Sequence, residues 1–316
     1  MNSQKVRQHK FVEKAPVPAA ILMFILWMLL FEVIQAIVDL GIHMVISGYT
    51  VGSGPVGLFA ATIASLALYK LWFNPEFEGM LKGDLPLGFL LGLFELGYVL
   101  VSYVPNLIDG SFSLKPLTWV IIITSLTAGI KEEFLFRGVI VSTLLRQWKD
   151  RNMFLQAALV SGIVFGLIHA TNVLVGADPM QTLFQVIASV GVGIFFAAVY
   201  IRCGSILPCM FYHVLHDIIA IAAESNVAEN GIMYAQALSW GDAFSLALSF
   251  VLAAVGLWLI RGAKTEQIRE IWDRKWKLAS PAAVSSAVAA ATTPVTADSS
   301  IAEAPTSAGD DAQTKQ

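Results

Sequence analysis

Apolar residues run along this chain in long blocks, not in the spaced stripes of amphipathic helices or the alternation of half-buried strands. Nearly charge-free stretches fall at about 18–42, 53–73, 86–105, 116–145, 155–175, 182–201, 206–225 and 242–260. About 20 consecutive apolar residues are what a helix needs to cross a hydrocarbon core roughly 30 Å thick. The pattern therefore predicts an all-α, polytopic membrane protein with about eight transmembrane helices. The fourth block is too long for one simple span, and predicts either a tilted helix or a span with an amphipathic continuation. The first block has the basic flank of a secretory signal, but its apolar core runs well past the usual 7–15 or so residues, so it reads as a retained span.

Composition agrees. The chain is 56% hydrophobic and 14% charged, against about 45–50% and 25% in soluble domains, and its mean hydropathy is +0.69. The net charge of −3 matters less than where the charges lie. Lys5, Arg7, Lys10 and Lys14 precede the first span; Lys70 and Lys82 flank the loop after the second. Arg146, Lys149 and Arg151 follow the fourth, Arg202 the sixth, and Arg261 to Lys277 the eighth. The alternate loops contain one basic residue, Lys115. Because cytoplasmic loops carry the excess of Lys and Arg, both termini are expected in the cytoplasm.

The expected organisation is a basic N-terminus at 1–17, a polytopic membrane domain at 18–262, an interfacial helix at 263–277 and a disordered tail at 278–316. Ile268, Ile271, Trp272 and Trp276 recur at helical spacing in the third of these, which fits either a helix on the inner membrane surface or an extension of the eighth span. The tail is Ala/Ser/Thr/Pro-rich without an aromatic residue and lacks the apolar area to order itself. Cys203 and Cys209 have neither the number nor the spacing of a metal site or redox pair. No internal repeat suggests a transporter with matching halves.

The fourth block contains KEEFLFRG, Lys131–Gly138, which puts four ionisable side chains into eight apolar-flanked residues. A charge at the bilayer centre costs about 2.5–3.5 kcal/mol on insertion scales, so these groups need partners or water. On a helix Glu133 and Arg137 are i,i+4 neighbours and are expected to pair. Glu132 then faces about 100° away, and Lys131, nearly opposite Glu133, reaches another helix. Span five puts Phe165 and His169 on one face, and span seven does the same with His213 and Asp217, with His216 close to His213. A carboxylate to take a proton from water, imidazoles to shuttle protons or hold metal, and donors for an oxyanion are what hydrolysis requires. A buried ion-pair cluster that only fixes packing is the plain alternative.

Glu132-Glu133-x-x-x-Arg137, Phe165-x-x-x-His169 and His213-x-x-x-Asp217, in that order on separate spans, resemble the three-motif signature of the CAAX protease and bacteriocin-processing (CPBP, or Abi) family. That resemblance covers about 115–225. It implies an intramembrane endopeptidase with its active site between spans four, five and seven. It also implies a peptide or protein substrate in or at the membrane, the bilayer as partner, and no nucleic acid. Carried over, Glu132 activates the attacking water, His169 assists it or ligates a metal, and His213 with Asp217 stabilises the oxyanion. Glu133, Arg137 and Phe165 support them. Prenyl-protein-trimming members commonly have Asn where Asp217 stands, and an ionised aspartate would oppose an oxyanion.

Glu132 or Glu133 with His169 and His213 offers three ligands and an open position for a divalent ion, zinc by preference, although no His-Glu-x-x-His occurs. A metal-free glutamate mechanism uses the same residues. Glu32, Asp39, His43 and Glu95 read first as helix–helix or interfacial contacts, and Glu224 and Glu229 as solvated loop residues. A transporter would line its path with the same intramembrane charges, and a non-catalytic scaffold would keep the fold without the chemistry.

Overall fold

Eight helices occupy the eight apolar blocks of the computed structural model: α1 Pro16–Val45, α2 Pro55–Trp72, α3 Leu85–Ser102, α4 Trp119–Glu133, α5 Arg151–Ile168, α6 Pro179–Cys203, α7 Leu207–Ala223 and α8 Trp240–Leu259. A ninth, α9, spans Thr265–Lys275. The structure describes residues 11–46, 55–73, 76–108, 110, 112, 114, 117–223 and 240–277, and no strand occurs among them. The helices belong to one compact unit, Met1–Leu278; the other, Ala279–Gln316, lies outside the described residues, as do Lys5, Arg7, Lys10, Lys115, Glu224 and Glu229.

Among the described residues five helices are long and apolar enough to cross a membrane (α1, α3, α5 with the turn after it, α6 and α8), while α2 and α7 are shorter apolar helices. The long fourth block is one continuous helical stretch that changes its winding. α4 passes without a break into a π-helix, Phe134–Val141, and then a last α-turn, Ser142–Leu144. The protein is an integral membrane protein. Its surface carries large apolar residues such as Leu22, Leu29, Ile37, Leu90 and Phe250, while Glu95, Glu133 and Arg137 are buried inside. That is the arrangement lipid demands, since ionisable groups face the bundle interior.

Short polar residues set where helices start. The Asp84, Asp150 and Asp178 side chains accept hydrogen bonds from backbone N–H groups at the starts of α3, α5 and α6, and proline follows within two residues at α3 and α6. α6 ends at Gly204, whose φ of 74° stops the helix.

α6 is the central strut. Residues 191–203 are all buried, because α5 and α8 pack on two sides of it. Close approach rests on glycines: a Cβ at Gly162 would lie 2.7 Å from the Ile194 nitrogen, and one at Gly166 would lie 2.6 Å from the Val186 carbonyl oxygen. Gly162 and Gly166 form a small-xxx-small pair, the device by which membrane helices bring backbones together. Gly162→Ala should cost about 1–3 kcal/mol by overpacking, read as a lower thermal midpoint in detergent; an unchanged midpoint would contradict this packing.

α9 follows a 3₁₀ turn, Gly262–Lys264, so it is a separate helix and not a continuation of α8. It turns Ile268, Trp272 and Trp276 inward onto the end of the bundle. Trp272 Nε1 donates to the Ile201 carbonyl (3.0 Å) and Trp276 Nε1 to the Ser142 carbonyl (3.1 Å). Both acceptors lie near helix C-termini, where carbonyls lack intrahelical donors. Lys275 Nζ donates to the carbonyls of Gly79 and Lys82, each at 2.7 Å.

Candidate active site

The π-helix begins one residue after Glu133 and all eight of its residues are buried. π-bulges are rare and concentrate at functional sites. Here the segment holds Arg137 one turn from Glu133, with Nη1 donating to Glu133 Oε1 at 2.7 Å and both side chains fully buried. The i,i+4 pairing expected from the sequence is therefore present. Arg137 Nη2 donates to the Gly193 carbonyl of α6 at 3.3 Å, and the guanidinium lies 4.4 Å from the Phe165 ring and 5.3 Å from that of Phe196. The aromatic faces and the carboxylate together compensate the buried charge.

Glu133 Oε1 is shared. It also accepts from His213 Nδ1 at 2.7 Å. A carboxylate paired with Arg137 is ionised and can only accept, so His213 carries its proton on Nδ1 and presents Nε2 on the other side of the ring. There Nε2 meets Glu132 Oε2 at 3.6 Å and Asp217 Oδ1 at 3.7 Å. Glu132 is 30% exposed and Asp217 31%, whereas Glu133 is 0%. The two adjacent glutamates thus have opposite situations: one is locked behind the imidazole, the other stands free of Arg137 in front of it. Phe196 stacks on the His213 ring at 5.8 Å, and Phe165 packs edge-on to both His213 (5.6 Å) and His169 (5.1 Å).

His169 closes α5. Its Nδ1 hydrogen-bonds the Phe165 carbonyl at 2.8 Å, which leaves Nε2 as the ring nitrogen not held by its own helix. His169, His213 and Asp217 line one cavity of about 400 Å³, together with Phe165, Tyr98 and His216. The structure thus brings Glu132, Glu133, Arg137, His213 and Asp217 into direct contact and joins His169 to them through Phe165. α7 packs on α4, and α5 packs on the π-helix.

The donor set Glu133, His169 and His213 is not gathered as ligands. Glu133 sits behind His213, holding its Nδ1, and no group of three His, Cys, Asp or Glu side chains among the described residues is placed to hold a metal ion. A metal drawing on Glu133 Oε1 would have to displace Arg137 and His213.

Two features escape the motif pattern. Phe196 and Gly193 come from span six, which has no Asp, Glu, His or Lys and whose one Arg, Arg202, lies at its end. His216 Nδ1 bonds Glu95 Oε1 at 2.8 Å, with Glu95 1% exposed, so a second histidine–carboxylate pair stands beside the first. The apolar setting of Glu95 in span three was the available signal. Lys131 does reach another helix, where it pairs with Glu32 of α1 and lies 4.7 Å from the Phe31 ring.

Residues 114–219 match the family model described as type II CAAX prenyl endopeptidase, Rce1-like. The match contains every motif residue from Glu132 to Asp217 and coincides with the stretch marked out by the three motifs, so the resemblance to the CAAX protease family is shown for this segment. No curated protein and no solved structure matches the chain.

Proposed function

We propose that this protein is an intramembrane endopeptidase in which Glu132 activates water against a peptide bond of a membrane-associated substrate. The observation that carries this reading is the division of labour at His213: Glu133, fixed by Arg137, holds Nδ1, and Nε2 is thereby turned toward Glu132 and Asp217. The family match supports a CAAX-type protease.

In this reading Glu132 takes a proton from water as the oxygen attacks the scissile carbonyl carbon. The carbonyl oxygen becomes an oxyanion, for which His213, protonated on Nε2 as well, is the donor. When the C–N bond breaks, the proton held by Glu132 passes to the leaving amine. Glu133 and Asp217 flank the imidazole and hold its orientation, so Asp217 acts through His213 and needs no contact with the oxyanion. His169, which lines the same cavity as His213 and Asp217, assists the water. Phe165 and Phe196 exclude solvent from the ion pairs, which strengthens them.

Asp217→Asn separates roles. The amide keeps the position beside His213 Nε2 but loses the charge, so substantial cleavage should remain if Asp217 only orients the ring. Cleavage measured with and without a chelator completes the test. Loss of activity in Asp217→Asn, together with a loss in the chelated wild type that added zinc restores, would make Asp217 a metal ligand and remove the metal-free route.

A further inference from the structure

We infer that His216, held by Glu95, binds the main chain of the substrate: its Nε2 donates to a backbone carbonyl close to the bond that is cut. This deepens the endopeptidase reading and rests on it. His216 Nδ1 bonds Glu95 Oε1 at 2.8 Å, and His216 lines the cavity with His213 and Asp217. Glu95 belongs to α3, outside the stretch matched by the family model, and plays no part in the steps at Glu132 and His213. Its side chain is 1% exposed, its Oε2 has no partner, and no Lys or Arg pairs with it among the described residues. His216 is thus the group that makes this buried carboxyl tolerable. The ring is fixed from two sides. Tyr98 of α3 packs against it at 5.8 Å. Tyr212 of α7 lies over Gly92 of α3 and donates from its hydroxyl to the Phe89 carbonyl at 2.8 Å, which holds the two helices in register.

The pairing sets what the other ring nitrogen offers. Two forms of the pair have no net charge: a carboxylate facing an imidazolium, and a carboxylic acid donating to Nδ1 of a neutral ring. In both of them Nε2 carries a proton. The remaining form, a carboxylate beside a ring protonated on Nδ1 alone, leaves a net negative charge in a dry interior and is the costly one. Nε2 is therefore a donor. A peptide supplies the acceptor it needs, because an extended chain brought into the membrane interior has backbone groups that water no longer satisfies. His213 and His216 stand three residues apart on α7, an offset of roughly 4.5 Å along the helix. An extended chain advances about 3.3 Å per residue. With His213 at the reacting carbonyl, His216 meets a carbonyl about one or two residues away.

Asparagine and glutamine separate the two ends of the ring. His216→Asn puts its amide where Nδ1 stands and keeps a partner for Glu95, but has no atom at the Nε2 position. His216→Gln reaches that position with an N–H donor. The test uses the full chain in detergent and a panel of membrane-anchored synthetic peptides. It measures KM and kcat for those the wild type cuts, and Kd for the panel on Glu132→Gln with and without each His216 substitution. His216→Asn should raise KM and Kd about tenfold, the worth of one buried hydrogen bond, and change kcat much less. His216→Gln should recover part of that loss, and matched thermal unfolding shows whether each variant is folded. Peptides with one carbonyl oxygen replaced by sulfur, a weaker acceptor, then locate the contact. One position near the cut should weaken binding to Glu132→Gln and have no effect once His216→Asn is added. This series on Glu132→Gln still reads the contact if His216→Asn fails to fold, with His216→Gln as the comparison. KM and Kd unchanged by His216→Asn in a folded protein, or no carbonyl whose replacement weakens binding, would overturn the proposal. If no peptide is cut, the endopeptidase reading fails, and Kd alone decides whether His216 binds a peptide.

Discussion

Arg137→Ala should lower the stability of the protein by about 3–5 kcal/mol, the usual cost of removing one partner from a buried ion pair. Glu133 has no exposure to water and its Oε1 already serves both Arg137 and His213. Without the guanidinium the carboxylate must either remain charged in a dry interior or take up a proton. In either case the side chain that fixes His213 Nδ1 changes character. The same substitution removes the donor to the Gly193 carbonyl and the cation between Phe165 and Phe196. Arg137→Lys should recover part of the loss, because a lysine restores the charge but cannot supply the planar fork that reaches Glu133 and α6 together. Thermal unfolding in detergent checks this; a midpoint unchanged by Arg137→Ala would mean that the pair is not what holds the site.

How much of this was legible in the sequence depends on whether a contact is local. Glu133 and Arg137 are four residues apart on one helix, so their pairing follows from helical geometry, as does the different facing of Glu132. The bond from His213 to Glu133 spans 80 positions and has no spacing to betray it; only the coincidence of rare intramembrane charges on spans four and seven pointed there. The role of α6 was hidden for another reason. It contributes a carbonyl, a ring and close-packed glycines, none of which stands out in an apolar block, although Gly162 and Gly166 on α5 carry the spacing that marks such packing. The π-helix was likewise unreadable, because its sequence, FLFRGVIV, suits an α-helix equally well. Glu95 shows the limit of a plain reading: it is a helix–helix contact, as expected, but its partner is His216, a cavity residue.

Glu132→Gln should abolish measurable cleavage while leaving the fold intact. Glu132 is the carboxylate that Arg137 does not hold, it is part-exposed, and it stands 3.6 Å from His213 Nε2. Glutamine keeps the shape and can still hydrogen-bond, but it cannot accept a proton from water. Removing a general base costs about 10²–10⁴ in rate. Stability should change little, since the buried pair behind the imidazole is untouched. His169→Ala and His213→Ala should be comparably inactive, but His213→Ala also leaves Glu133 short of a partner and is less clean as a test. The decisive measurement is cleavage of a mixture of membrane-anchored synthetic peptides by the purified wild type and by Glu132→Gln, read by mass spectrometry after matched thermal unfolding has shown both to be folded. The account predicts cleavage products from the wild type and a fall of about 10²–10⁴ in their rate of formation in the variant; products formed at an undiminished rate by Glu132→Gln would contradict it.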